Sequence, residues 1–372
     1  MAERVAHFLW SLDRGGAERQ AATLLRRIDR ARYEPHLILV GDRDDFGVSR
    51  EVPTRVLSAN GRFDPACFPR LVAALREIRP AVVHSWMGAF NLYARLAAPL
   101  AGVRRVVGSV RAMNIPRVDV LREAMTRPLV DAIIVNSVGT RDELVRRAGV
   151  APSKIEVIEN GLDPQHFTPL APDDRVLARR ALGFEGRRAL VVPARICAQK
   201  NQLGILDAFE AMRATGALPG DAKVFFYGRV DEQGYTAEVR ARATSPALRD
   251  HVELRDPVAD LERVLPAADA LLLPSVFEGL PNVVIEALAC GTPAIVTPAA
   301  NVDVLVVDGR DGLVAADPTP AAIADALSRF FALDATALAG LSRRARENAS
   351  SRFSIERMVS ATTAVYDRVL SA

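Results

Sequence analysis

The sequence predicts an α/β protein of two domains, each a doubly wound parallel sheet, and three observations carry that reading. The 372 residues exceed the ~100–200 of one domain. Apolar runs of strand length alternate with stretches of three-to-four periodicity, the βαβ rhythm of buried parallel strands and crossover helices. The rhythm stops once, in a turn-rich stretch, and then restarts.

Taken in order, the strand-like runs of the first half are Val5–Leu9, His36–Val40, Ala81–His84, Arg105–Val110 and Asp131–Val135. Between them Ala17–Ile28, Pro69–Ile78, Leu92–Ala101 and Thr140–Arg147 space their apolar residues along one helical face. Asn160-Gly161-Leu162-Asp163-Pro164 and the run from Thr168 to Asp173 concentrate turn formers and mark a linker. Strands are then expected at Ala189–Pro193, Ala222–Tyr227, His251–Leu254, Ala270–Leu273 and Pro293–Thr297. Helices are expected at Leu203–Met212, Thr236–Ala243, Asp260–Leu265 and Asn282–Cys290, followed by several C-terminal helices. The expected domains are 1–165 and 166–352, with 353–372 a last helix that packs back on the first. Two such sheets are expected to face a cleft at the carboxyl ends of their strands, where open α/β sheets take ligands.

Composition removes other classes. With 49% apolar and 25% charged residues the chain is neither disordered nor fibrous. No apolar run approaches the ~20 residues of a membrane span. Met1-Ala-Glu-Arg-Val-Ala-His reads as a strand edge and not as a signal peptide. Cys67, Cys197 and Cys290 are spaced for neither disulfides nor zinc, so a cytoplasmic location is expected. A net charge of +3 is too small to argue for a nucleic-acid partner. Only Lys154, Lys200 and Lys223 are lysines among 48 basic residues, so a lysine at a motif position stands out.

Three constellations carry chemistry. Asp13-Arg14-Gly15-Gly16-Ala17-Glu18 follows the first strand and opens a helix, and paired glycines there let backbone amides approach an anion. Arg195-Ile-Cys-Ala-Gln-Lys200-Asn201 follows the strand Ala189–Pro193; a guanidinium fork and an ammonium at a strand's carboxyl end suit a diphosphate. The third runs from Pro274 to Pro293. A loop carrying Glu278 leads through Gly279 and Leu280 to a helix expected to begin near Pro281 or Asn282, since proline suits a first helical turn and asparagine an N-cap. Gly291 is placed to end that helix. Glu286 is the one charge in the apolar run Val283–Cys290 and needs a partner there.

Glu278 and Glu286, separated by seven residues, resemble the signature of glycosyltransferase family 4, retaining nucleotide-sugar transferases of the GT-B fold. The resemblance extends to Gly15-Gly16-Ala17-Glu18, Val135-Asn136-Ser137, Asn160-Gly161-Leu162-Asp163, Arg195 with Lys200, and Phe353-Ser354. It implies two Rossmann-like domains, the first for the acceptor and the second for the nucleotide sugar, most commonly UDP-linked. By the same resemblance Arg195 and Lys200 hold the donor diphosphate, Glu286 the ribose and Glu278 the sugar. Gly279, Leu280, Pro281 and Asn282 line the donor, Gly15 and Gly16 lie by the diphosphate, and His84 sits near the reacting sugar. Without the family, a lone histidine ending a strand reads as a core residue. No metal cofactor is implied; Asp42-Arg43-Asp44, which looks like the metal-binding aspartates of another transferase fold, reads better as a solvated loop. The acceptor implied is a growing glycan or lipid-linked sugar of the bacterial surface. Six arginines from Arg104 to Arg127, interleaved with apolar residues, make a candidate contact with the inner face of an anionic membrane.

Two departures from the family pattern stand out. Val252–Val258 lacks the usual glycine turn, which leaves the base open, and Arg229-Val230-Asp231-Glu232 is more charged than usual beside the phosphates. An epimerase or phosphorylase of the same fold is the alternative, and a non-catalytic binding protein a more distant one.

Overall fold

The computed structural model describes residues 2–13, 15–58, 66–111, 115–163, 166–258 and 260–372. Met1, Arg14 and Pro164, named above, and the expected domain boundary at 165 lie outside them. The chain forms two compact units, 1–161 with 355–372, and 162–354.

The first unit holds seven parallel strands: β1 (Glu3–Leu9), β2 (Tyr33–Leu39), β3 (Thr54–Val56), β4 (Val82–Trp86), β5 (Arg105–Val110), β6 (Ala132–Val135) and β7 (Ile155–Val157). Their order is β3-β2-β1-β4-β5-β6-β7. Chain direction across the sheet reverses between β1 and β4, so the ends of these two strands flank a topological switch point. Crossovers run through α1 (Gly16–Arg27), α2 (Cys67–Ile78), α3 (Gly88–Ala101), α4 (Arg117–Thr126) and α5 (Val138–Glu143). Ser137 caps α5, its Oγ accepting from the Thr140 amide at 3.1 Å, and a π turn at Leu144–Ala148 continues the helix.

The second unit repeats the plan with α6 (Pro172–Ala181), β8 (Arg188–Pro193), α7 (Gln202–Ala214), β9 (Ala222–Tyr227), α8 (Gln233–Ala243), β10 (Val252–Arg255), α9 (Leu261–Val264), β11 (Ala270–Leu273), α10 (Asn282–Ala289), β12 (Ala294–Val296), β13 (Gly312–Val314), α11 (Pro320–Phe331) and α12 (Ala335–Arg352). Its six parallel strands are ordered β10-β9-β8-β11-β12-β13, with the reversal between β8 and β11. The last helix, α13 (Ile355–Ser371), belongs to the first unit. Its Met358, Val365, Tyr366 and Val369 join α1 and one face of the first sheet in a buried cluster.

Each sheet is buried on both faces, which is why its strands read as unbroken apolar runs. At one point side-chain size is the constraint. A Cβ on Gly228, just past β9, would lie 2.0 Å from the Ala194 carbonyl oxygen, so only glycine lets these two strand ends pass. Three edge strands, β3, β7 and β13, have three residues each, too few for a pattern. Helix α4 went unpredicted because its apolar residues Val118, Leu121 and Met125 face solvent.

Candidate functional site

The switch point of the second sheet gathers the cationic pair and the first glutamate. Lys200 ends a short turn after β8, and its Nζ forms an ion pair with Glu278 Oε1 in the loop after β11. Both side chains are largely buried, at 14% and 8% exposure. Asn201 fixes the turn in the left-handed conformation (φ 57°), donating from Nδ2 to the Pro274 and Pro318 carbonyls at 3.2 and 2.9 Å. Gln199 ties the two loops together: its Nε2 donates to the Phe277 carbonyl at 2.9 Å, and its own carbonyl accepts from the Val276 amide at 2.9 Å.

Arg195 lies two residues past β8. One guanidinium nitrogen donates to Gln199 Oε1 at 3.0 Å and another is ion-paired with Asp231. Glu232 accepts from the Ala198 amide at 3.4 Å. The acidic stretch after β9 therefore sits on Arg195, one of the two cations expected to meet a diphosphate, and on the neighbouring Ala198 amide.

Helix α10 starts at Asn282, as expected, but its cap is the preceding residue. Pro281 is its N-cap and Asn282 its first helical residue, because proline's fixed φ suits the cap and it has no amide to leave unmade. Leu280 and Pro281 are buried, so the approach to the helix is packed and not a loose loop. Glu286 is buried one turn on. Gly291 ends the helix in the left-handed conformation (φ 70°), and the Thr292 amide donates back to the Ala287 carbonyl at 2.8 Å.

In the first unit Gly15 is the N-cap of α1 and Gly16 its first residue. His84 requires a correction. It lies mid-sheet on β4 with no exposure. Its Nδ1 is hydrogen-bonded with the Tyr366 hydroxyl at 2.6 Å and its Nε2 with the Ser109 hydroxyl at 2.8 Å, and its ring stacks on Trp86 at 4.6 Å. Burial drives its pKa well below 6.5, with His7 and Arg111 adding to the effect. A fully buried, doubly bonded neutral ring touches no substrate, and His84 is a core residue. Asp42-Arg43-Asp44 is the loop expected: Asp44 Oδ1 accepts from the Phe46 amide at 3.1 Å and Oδ2 from the Ser49 amide at 2.7 Å, and Arg43 pairs with Asp13 and Asp45. Among the described residues no cluster of three or more His, Cys, Asp or Glu is placed to hold a metal.

Sequence reasoning passed over Arg111, counted only as one of six arginines. It directly follows β5, the strand-end position that marked Arg195, and that signal was available.

Two Rossmann-like units of seven and six parallel strands have the fold of GT-B glycosyltransferases. Residues 14–166 match the family model described as Glycosyltransferase Family 4, and residues 187–332 the model described as Glycosyl transferases group 1. The chain belongs to this family. Among relatives, the D-inositol 3-phosphate glycosyltransferase of Mycolicibacterium vanbaalenii is 29% identical over 74% of this chain and 63% of that protein. The protein of the same name from Salinispora arenicola is 30% identical over 69% of this chain and 59% of its own length. The matches thus span less than two thirds of these relatives. Among solved structures, Anabaena HepE in complex with UDP and glucose superposes with a TM-score of 0.85 at 19% identity, covering 98% of this chain and all of that one. WaaG, a glycosyltransferase involved in lipopolysaccharide biosynthesis, gives a TM-score of 0.75 at 14% identity, covering 97% and 99%. At such identities the likeness shows the fold.

Proposed function

We propose that the protein is a retaining glycosyltransferase that takes its sugar from a nucleotide diphosphate sugar, UDP-linked by preference, and passes it to a glycan or lipid-linked acceptor of the bacterial surface. The observation that carries this reading is Lys200 beside Glu278, with Arg195 and the start of α10, at the switch point of the second sheet. As the bond from sugar to phosphate stretches, negative charge gathers on the departing diphosphate. Preorganised cations and helix amides lower the barrier most where such charge develops. Lys200 and Arg195 exchange Glu278 and Asp231 for phosphate oxygens, which frees Glu278 to face the sugar. Glu286 takes the ribose, and the leaving phosphate oxygen accepts the acceptor's proton, so no separate base and no metal enters. HepE's complex with UDP favours uridine.

Thermal-shift measurements with UDP, GDP and ADP test the donor. A nucleotide at ~100 times its Kd adds about 2.7 kcal/mol of stability, and UDP is expected to give the largest rise. No rise with any of the three overturns the reading. Product analysis then separates a transferase from an epimerase, which turns over without acceptor, and from a phosphorylase, which needs inorganic phosphate.

We also propose contact with an anionic membrane. Helix α4 exposes Val118, Leu121 and Met125 at 52%, 58% and 71%, one stripe at helical spacing, with exposed Arg104, Arg117 and Arg127 nearby. Among the described residues no helix is long and apolar enough to cross a membrane. Vesicles with a third phosphatidylglycerol are expected to sediment the protein, and Leu121→Asp with Met125→Asp to leave it in solution; equal binding of both proteins refutes the contact.

A further inference from the structure

A second cation site lies in the first unit, beside the strand ends of β4 and β5. A cavity of about 260 Å³ opens there between Met87, Phe90, Val110, Ile115 and Pro116, with Arg111 on its wall. Its two carboxylates are already engaged. Glu123 pairs with the fully buried Arg95 at 2.7 Å and accepts from Asn91 at 2.8 Å, and Asp119 pairs with Arg122 at 2.7 Å.

Arg111 has no such counter-ion among the described residues. One nitrogen donates to the Asn160 side-chain oxygen at 2.6 Å, the guanidinium lies 4.9 Å from the Trp86 ring centre, and its buried Nε has no hydrogen-bond partner. This half-buried guanidinium, its Nε shut off from water without a partner and with no carboxylate paired to it among the described residues, is suited to an anion entering the cavity. Trp86 is itself held from behind: its face by His84, its Nε1–H by His7 Nδ1 at 3.3 Å, and His84 by Tyr366. The arginine is thus aimed by a stack that reaches α13.

The backbone at the rim carries strain of the kind found at ligand clamps. Met87 has φ 72° and ψ 142°, a region that side chains other than glycine rarely occupy. This turn keeps Met87 half-exposed over the cavity and starts α3 at Gly88.

We propose that this cavity is an acceptor subsite in which Arg111 binds a phosphate of the acceptor while Met87, Phe90, Ile115 and Pro116 cover the apolar carbons next to it. The proposal rests on the transferase reading above and adds the class of acceptor: one that carries a phosphate. A guanidinium fork suits two phosphate oxygens, and a cavity of this size takes a phosphate with a few carbons, not a sugar nucleotide.

Calorimetric titration of the full chain tests it with n-butyl phosphate, myo-inositol 3-phosphate and 1-butanol as probes and UDP as control. Butyl phosphate is expected to bind the wild type, with Kd raised at least tenfold by Arg111→Gln and raised less by Arg111→Lys. Met87→Asp, which leaves Arg111 in place and brings a carboxylate to the mouth, is expected to weaken it likewise. Inositol phosphate binding as tightly as butyl phosphate supports a polar sugar phosphate; butyl phosphate binding alone supports a lipid phosphate. Butanol binding as tightly as butyl phosphate, equal butyl phosphate affinity in wild type and Arg111→Gln, or no phosphate probe binding at all overturns the proposal. UDP affinity is expected to be the same in all four proteins, so loss of UDP binding by the wild type condemns the transferase reading separately.

Discussion

Lys200→Ala is expected to lower kcat by 10²–10³, about 2.7–4 kcal/mol of transition-state stabilisation from one preorganised group, and to destabilise the fold as well. The second effect follows from the ion pair. Glu278 is buried with Lys200 as its charged partner, and removing one member of a buried pair leaves the other uncompensated, at a cost of about 3–5 kcal/mol. The sequence placed Lys200 at a strand end facing a ligand; the structure adds its buried ion pair with Glu278, so its loss is expected to reach the fold as well. The two roles separate in the double variant Lys200→Met, Glu278→Leu, which replaces the pair by apolar groups of similar size. That variant is expected to recover most of the stability and none of the turnover. If turnover recovers along with stability, Lys200 acts only on the fold and its catalytic assignment fails.

What the sequence disclosed and what it withheld follow from how each feature is encoded. Central strands such as Arg105–Val110 and Ala270–Leu273 were legible to the residue because burial on both faces demands an unbroken apolar run. Edge strands of three residues have no length in which to show a pattern. At the second switch point the position of Lys200 and Glu278 was legible, since both follow strands that the topology makes neighbours. Their mutual ion pair was not, because pairing depends on side-chain direction across two loops. His84 failed for a related reason. The run Val82-Val83-His84 places the histidine on a strand, yet which face it takes, and that Tyr366 from residues 355–372 waits there, is set by a helix far along the chain. Arg111 has the opposite history: its strand-end position was visible, and its lack of a carboxylate partner appears only once Glu123 is seen to belong to Arg95.

The buried histidines are expected to make the first unit acid-labile. His7 has no exposure, and burial, with Arg30 adding repulsion, holds its pKa down to about 3; His84 is shifted the same way by burial, His7 and Arg111. Both rings stay neutral in the folded protein, whereas in the unfolded chain each takes a proton below about pH 6.5. Between those values the unfolded state binds more protons, so stability is complete above pH 6.5 and declines as pH falls. By pH 4.5 His7 alone removes about 2.7 kcal/mol, two pH units at 1.36 kcal/mol each, and His84 adds a loss of the same sign. The measurement is direct because Trp10 and Trp86 are the chain's two tryptophans and both lie in the first unit, so urea unfolding followed by tryptophan fluorescence reports that unit. The urea midpoint is expected to drop sharply between pH 7.5 and 4.5 in the wild type and markedly less in His7→Gln, whose amide oxygen still accepts from the Trp86 indole but takes no proton. An identical pH slope in the two proteins would show that His7 titrates normally and that the acid sensitivity resides in the carboxylates.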